Sequence, residues 1–178
     1  MTHDDLDGRV AEGWGGAPGA NGSHVNVVLA RRGTPTAAAM LGTLTTPTPG
    51  HTPIVVVVGE DQPSYEPVWP PTIMINKATA TEDRHVSLTW GAAQLGIAQG
   101  VLDAVAEGLL PAETVDETVL LVAVWVDPDA REEAAVKDAN RAAARAAIAD
   151  ALTAHPAASV SEVVGRREQA NNAYFGGS

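Results

Sequence analysis

The chain of 178 residues has no cysteine, which removes disulfides, thiolate chemistry, iron–sulfur clusters and cysteine-type zinc sites together. Aromatic residues are also scarce, 4% against 45% hydrophobic residues in all, with alanine and valine carrying much of the latter. The core must therefore be fine-grained, built by close approach of backbone elements rather than around large rings. Positive charge is in short supply: 11 Lys and Arg stand against 22 Asp and Glu, for a formal net charge of -11. That balance argues against nucleic acid or an anionic membrane as the main partner, since both need a basic face. No apolar run approaches the roughly 20 residues of a membrane span. The opening Met1-Thr2-His3-Asp4-Asp5-Leu6-Asp7 is acidic, the reverse of a signal peptide. A cytoplasmic protein of one domain is expected, long enough for a sizeable core.

The chain in order predicts β-α-β-β-α-β-α, a two-layer α+β arrangement in the broad α/β class rather than a doubly wound nucleotide fold. Residues 1–21 read as a flexible, glycine-rich lead-in and 22–178 as the domain. The glycine-rich stretch Gly13–Gly22 lacks the spacing and context of a phosphate loop and reads as a flexible surface loop. Trp14 is its exception, a ring placed to pack on a ligand or a neighbouring subunit. The first strand is expected over Val25–Leu29, where β-branched residues are dense. A helix over Pro35–Leu44 follows, with Thr34 as N-cap and Pro35 at the first helical position. Ile54–Val58 is too apolar to alternate and predicts a buried strand. Gly59–Pro71 reads as a proline-rich loop and Thr72–Thr79 as a strand. Ser87–Leu110 carries a helical stripe, with Gly91, Ala92, Gly96 and Gly100 permitting close packing and Gly108 marking the end. Glu117–Val126 predicts another buried strand, and Asp127 and Pro128 would start a last helix running to about Leu152. The tail holds a short amphipathic piece around Val160–Gln169, then Ala173-Tyr174-Phe175. No metal-ligand spacing is present, and His3, His51, His85 and His155 read as solvated or capping residues.

One stretch carries chemistry. Along the strand that begins at His24, side chains alternate, so His24, Asn26 and Val28 share one face and Val25, Val27 and Leu29 the other. The second set has the character of core. The first puts an imidazole and a carboxamide side by side at a strand end. On these residues alone two readings stand, a structural histidine or one that handles a proton.

His24-Val25-Asn26-Val27-Val28-Leu29, followed by Gly33-Thr34-Pro35, resembles the formaldehyde-activating enzyme family, whose members have His-Ile-Asp-Leu-Ile-Ile and then Gly-Ser-Pro. Ile75-Asn76-Lys77-Ala78-Thr79 is similar to the family's Phe-Asn-Lys-Val-Thr, and Trp90-Gly91-Ala92-Ala93-Gln94 to its Phe-Gly-Pro-Ala-Gln. Similar runs recur at Ala104–Pro111 and Leu121–Val126, so the resemblance covers about residues 22–152. It implies a fold like the second domain of ribosomal protein S5, a homopentamer, and a carrier bound between subunits. The implied reaction joins formaldehyde to tetrahydromethanopterin, or a related reduced pterin, with loss of water, a hydro-lyase activity needing no metal. Transferred residue by residue, the general acid falls on His24 and the carrier contacts on Asn26, Val55, Lys77, Thr79 and Gln94. A histidine titrates near neutrality and can protonate the hydroxyl of a carbinolamine, which otherwise leaves as hydroxide. Three departures stand out: Asn26 where the family has aspartate, a longer 59–71 loop, and Ala173-Tyr174-Phe175 where His-Pro-Phe is frequent. They leave open a homologue that binds or senses a one-carbon adduct without turnover, or an enzyme using a different amine carrier.

Overall fold

The computed structural model describes residues 6–17, 20–61, 64–153 and 160–171. Its strands are β1 (Arg9–Gly15), β2 (Ser23–Arg31), β3 (Ile54–Val55), β4 (Val57–Val58), β5 (Glu66–Pro67), β6 (Thr72–Asn76) and β7 (Thr118–Val126). Its helices are α1 (Pro35–Gly42), α2 (Asp83–Ser87), α3 (Gln94–Ala106), α4 (Glu133–Thr153) and α5 (Val160–Gly165). Five strands make one mixed sheet in the order β1-β2-β7-β6-β3, parallel only at β6–β7. β4 and β5 pair separately. The result is a mixed α/β domain, as the element pattern predicts.

Strand alternation divides the molecule. Val25, Val27 and Leu29 of β2 and Val122 and Val124 of β7 are fully buried under α3 and α4, together with Met74, Ile97, Ala143, Ala147 and Ile148. Burying one such aliphatic side chain is worth roughly 1.5–3 kcal/mol, so these rows dominate the cohesion of the sheet. On the opposite face only one end is covered: Met40 and Ala37 of α1 pack on Ala30, Ile73 and Val119. Among the described residues, the other end of that face stays open.

Several expectations need correction. Residues 9–15, read within a lead-in and loop, form the edge strand β1, paired with β2 from Arg9↔Leu29 to Gly15↔Ser23. Its glycines are there for close approach: a Cβ on Gly13 would lie 2.1 Å from the Ala143 carbonyl oxygen, and one on Gly15 1.8 Å from that of Ala139. α4 thus lies directly on the β1 backbone, the packing that an Ala- and Gly-rich core requires. Gly96 and Gly100 admit α4 to α3 in the same way, whereas Gly91 has nothing within 4 Å and serves no such contact.

The expected strand 54–58 splits into β3 and β4 at Val56; Val56 is buried but Val55 is exposed, because β3 is an edge. The 59–71 loop contains β5. The Ser87–Leu110 helix begins earlier, at Asp83, and passes through a π-helical stretch, Leu88–Ala93, before α3. Asp127 does not cap the last helix. Its carboxylate accepts from Asp129 N–H in a local turn, and the amides of Arg131 and Glu132 donate to Asn21 Oδ1 at 2.7 and 3.0 Å. α1 starts as expected, with Thr34 Oγ1 accepting from Ala37 N–H.

His85 is buried, not solvated, and its Nε2 meets the Val126 carbonyl at 3.1 Å. The expected piece at 160–169 is α5 and a short 3-10 turn, with residues 161–169 exposed. His3, His155 and Ala173-Tyr174-Phe175 lie outside the described residues.

Candidate active site

The open end of the sheet gathers the polar side chains around His24. β2 begins at Ser23, a fully buried residue whose hydroxyl donates to Asn140 Oδ1 of α4 at 2.7 Å. Asn140 is itself held by donating to the Val136 carbonyl. This buried pair anchors the strand one residue before His24. His24 then points to the open face, its side chain one-quarter exposed, opposite Trp14 of β1 and Trp125 of β7 in the register. The Trp14 and Trp125 rings stack with centroids 5.8 Å apart, and Trp14 lies 5.9 Å from the imidazole. Glu12, Trp14, His24, Lys77 and Trp125 line a cavity of about 450 Å³.

Lys77 follows β6 and continues its ladder, its N–H donating to the Val124 carbonyl at 2.6 Å. That bond directs the side chain across β7 to β2, where Nζ meets His24 Nδ1 and donates to Asn26 Oδ1 at 2.8 Å. On the other side of the imidazole, His24 Nε2 lies 3.1 Å from Glu12 Oε2. A carboxylate can only accept, so the tautomer that satisfies both contacts carries hydrogen on Nε2, and Nδ1 accepts from the lysine ammonium. Partial burial pushes the Lys77 ammonium below the ordinary lysine range, and the negative charge of Glu12 opposes that shift. The His24–Lys77 pair thus faces a carboxylate and a cavity.

Of the residues expected to act, His24, Asn26 and Lys77 come together here. Val55 and Gln94 do not join them. They line a second cavity of about 490 Å³ at the β3 edge with Tyr65, Trp90 and Leu95. Gln94 is turned there by the end of the π-helical stretch and donates from Nε2 to the Val57 carbonyl at 2.7 Å. Thr79 faces neither cavity; its hydroxyl meets His51 Nε2 at 2.9 Å, while His51 Nδ1 meets the Asn76 carbonyl. β2 and β3 are three steps apart in the sheet, about 14 Å at ordinary strand spacing, so within one chain the same reacting atoms cannot touch both clusters.

Glu12 and Trp125 escape a reading of the sequence by motif. The signal for Glu12 is the period of two in Val10, Glu12 and Trp14, interleaved with Ala11, Gly13 and Gly15. Among the described residues, no group of three or more His, Asp or Glu side chains is arranged to hold a metal ion, and no helix is long and apolar enough to cross a membrane.

Comparison with known proteins bears on this geometry. The family model described as formaldehyde-activating enzyme (Fae) matches residues 12–175. Over 152 residues the chain is 33% identical to the 5,6,7,8-tetrahydromethanopterin hydro-lyase of Methanosarcina barkeri, covering 85% of this chain and 82% of that protein. It is 30% identical over 134 residues to the bifunctional enzyme Fae/Hps of Methanothrix thermoacetophila, and 29% identical over 134 residues to that of Archaeoglobus fulgidus. Each of these matches covers 75% of this chain but 33% of the relative, so the chain spans a third of the bifunctional proteins' length. With a family model matched nearly end to end and a relative matched over most of both lengths, this chain belongs to the formaldehyde-activating enzyme family.

Proposed function

We propose that this protein condenses formaldehyde with tetrahydromethanopterin to the methylene adduct and water, with His24 as general acid. The observation that carries the reading is the His24 contact set. In a chain of this family, Lys77 and Glu12 occupy the two ring nitrogens of His24 beside an open cavity. Addition of an amine to formaldehyde gives a carbinolamine. The Nε2–H of His24 protonates its hydroxyl, the C–O bond breaks, water leaves, and an iminium remains. As Nε2–H departs, the proton shared with Lys77 stays on Nδ1, leaving a neutral imidazole and a neutral amine. The lowered proton affinity of Lys77 favours that shift. General acid catalysis of this kind is worth about 10²–10⁴-fold, and holding both amines in place adds a proximity term.

Asn26 and Lys77 of one cluster and Val55 and Gln94 of the other contact the carrier in this reading, the clusters being contributed by neighbouring copies of a homopentamer. Thr79, outside both cavities, reaches it through the hydroxyl that now meets His51. The exposed Val55, Tyr65 and Leu95 at the β3 edge support a subunit contact there. The half-covered sheet accords with a domain like the second domain of ribosomal protein S5. The reaction uses no metal and takes place in the cytoplasm.

A second reading, a homologue that holds a one-carbon adduct without turnover or serves another amine, is favoured by one observation. Asn26 places a neutral amide against Lys77, where an acid would form an ion pair. Formaldehyde consumption by the purified protein, measured above the spontaneous rate with a panel of reduced pterins and simple amines, separates the two. Acceleration greatest with tetrahydromethanopterin is expected. No acceleration with any pterin overturns the tetrahydromethanopterin assignment, and no acceleration with pterins or amines overturns turnover altogether.

A further inference from the structure

The reaction proposed above needs a base as well as an acid. After water has left, the second amine attacks the iminium carbon. A C–N bond forms, the C=N electron pair returns to the first nitrogen, and the attacking nitrogen becomes an ammonium that must lose its proton. We infer that Glu12 is a second catalytic residue, the base that takes this proton and returns it to His24. The inference rests on the condensation reading.

Three observations carry it. Glu12 stands on β1 opposite Asn26 in the register, so it shares the face and the strand end of His24. Its carboxylate lines the same cavity and its side chain is 73% exposed, accessible to an arriving amine. Its Oε2 lies 3.1 Å from His24 Nε2, the nitrogen emptied when the carbinolamine is protonated. Lys77 is poorly suited to this role, because its nitrogen is engaged by His24 Nδ1 and Asn26 Oδ1.

The proton balance then closes. His24 gives one proton from Nε2 to the departing hydroxyl. The N–H bond of the second amine breaks, its electron pair stays on nitrogen, and the proton moves to the Glu12 carboxylate. Glu12 hands it to Nε2, the shared proton shifts back towards Lys77, and the site is reset with no proton drawn from solvent. A carboxylate directly on Nε2 makes that last transfer a single hydrogen-bonded step.

The test uses the full chain with formaldehyde and tetrahydromethanopterin, with wild-type turnover above the spontaneous rate as the control for the underlying reading. Glu12→Gln preserves the size and an acceptor for Nε2–H but cannot take a proton. It is expected to lower kcat at least tenfold, with KM little changed. Glu12→Asp should recover part of the loss. Glu12→Ala should be rescued by added acetate or formate in proportion to concentration, which a purely structural loss would not be, while His24→Ala should not. An unchanged kcat in Glu12→Gln, or a low kcat in Glu12→Ala that small carboxylates leave untouched, overturns the assignment of Glu12 while leaving the condensation standing. Absence of turnover in the wild-type protein overturns the condensation reading and the role of Glu12 with it.

Discussion

The two clusters differ in how their groups are occupied. At the β1–β2–β7 end, polar side chains bind one another: Lys77 to Asn26 and His24, His24 to Glu12, with two indoles forming the wall. At the β3 edge the side chains are mainly apolar and exposed, and the one amide, Gln94, is bound to backbone. In the proposed reaction the first cluster moves protons within one chain. The second offers shape and apolar surface, which suits recognition of a carrier or a neighbouring subunit. The two clusters are separated by three sheet positions, so on the proposed reading His24 and Gln94 should fail in different ways when altered.

The sharpest break of that contrast is His24→Ala. Loss of the acid should reduce turnover by about 10²–10⁴-fold. The fold should persist, because the buried side of β2 and the Ser23–Asn140 anchor are untouched. Circular dichroism alongside steady-state kinetics checks both halves, and wild-type turnover in the variant would remove His24 from the mechanism.

Asn26→Asp sharpens the proton-handling side. A carboxylate beside Lys77 can take charge-assisted hydrogen bonds that the amide cannot. A mismatched buried donor on the carrier costs about 1–3 kcal/mol, so the variant is expected to improve kcat/KM for tetrahydromethanopterin by about 5-fold or more. A fall with tetrahydromethanopterin, accompanied by a fall with a different acceptor that the wild type prefers, would instead mark a changed carrier.

The smallest effect lies away from both clusters. Asp103 is held below the ordinary aspartate range by its hydrogen bonds from Arg141 at 2.6 and 2.7 Å, with burial opposing. Around the ordinary aspartate pKa the unfolded chain therefore binds more protons than the folded one. The pair's stabilisation is present above that pKa and is lost as pH falls through the lowered folded value. Asp103→Asn should lower Tm by about 2 °C at neutral pH, with the difference vanishing in strong acid and turnover unchanged. A Tm difference that persists in acid would show that packing, not charge, is responsible.

Much of this was legible in the chain itself. Alternation from His24 to Leu29 separates the site face from the core face, and Thr34–Pro35 marks the start of α1 as found. What was not legible came from tertiary contact. Gly13 and Gly15 look like loop residues until α4 is laid on them, and losing β1 also loses Glu12. Ile54–Val58 looks uniformly buried, since an edge strand cannot be told from a central one by composition. Asp127 has the right chemistry for a cap, but α4 starts only at Glu133, and the amides just before it are held by Asn21, 110 residues from Arg131 in the chain. His24, Asn26 and Lys77 are assembled by the β2–β7–β6 pairing, whereas Val55 and Gln94 belong to a different edge, a division invisible in any one motif.

The central claim is that one reaction uses the proton-handling cluster of one copy and the β3-edge cluster of the next. Mixing His24→Ala chains with Gln94→Ala chains, by refolding together or co-expression, tests it most directly. Each variant alone should be impaired, and random assembly of a cyclic oligomer should pair an intact cluster of each kind at about one interface in four. Activity well above the mean of the two separate variants is the predicted result. Activity equal to that mean would contradict a site shared between copies.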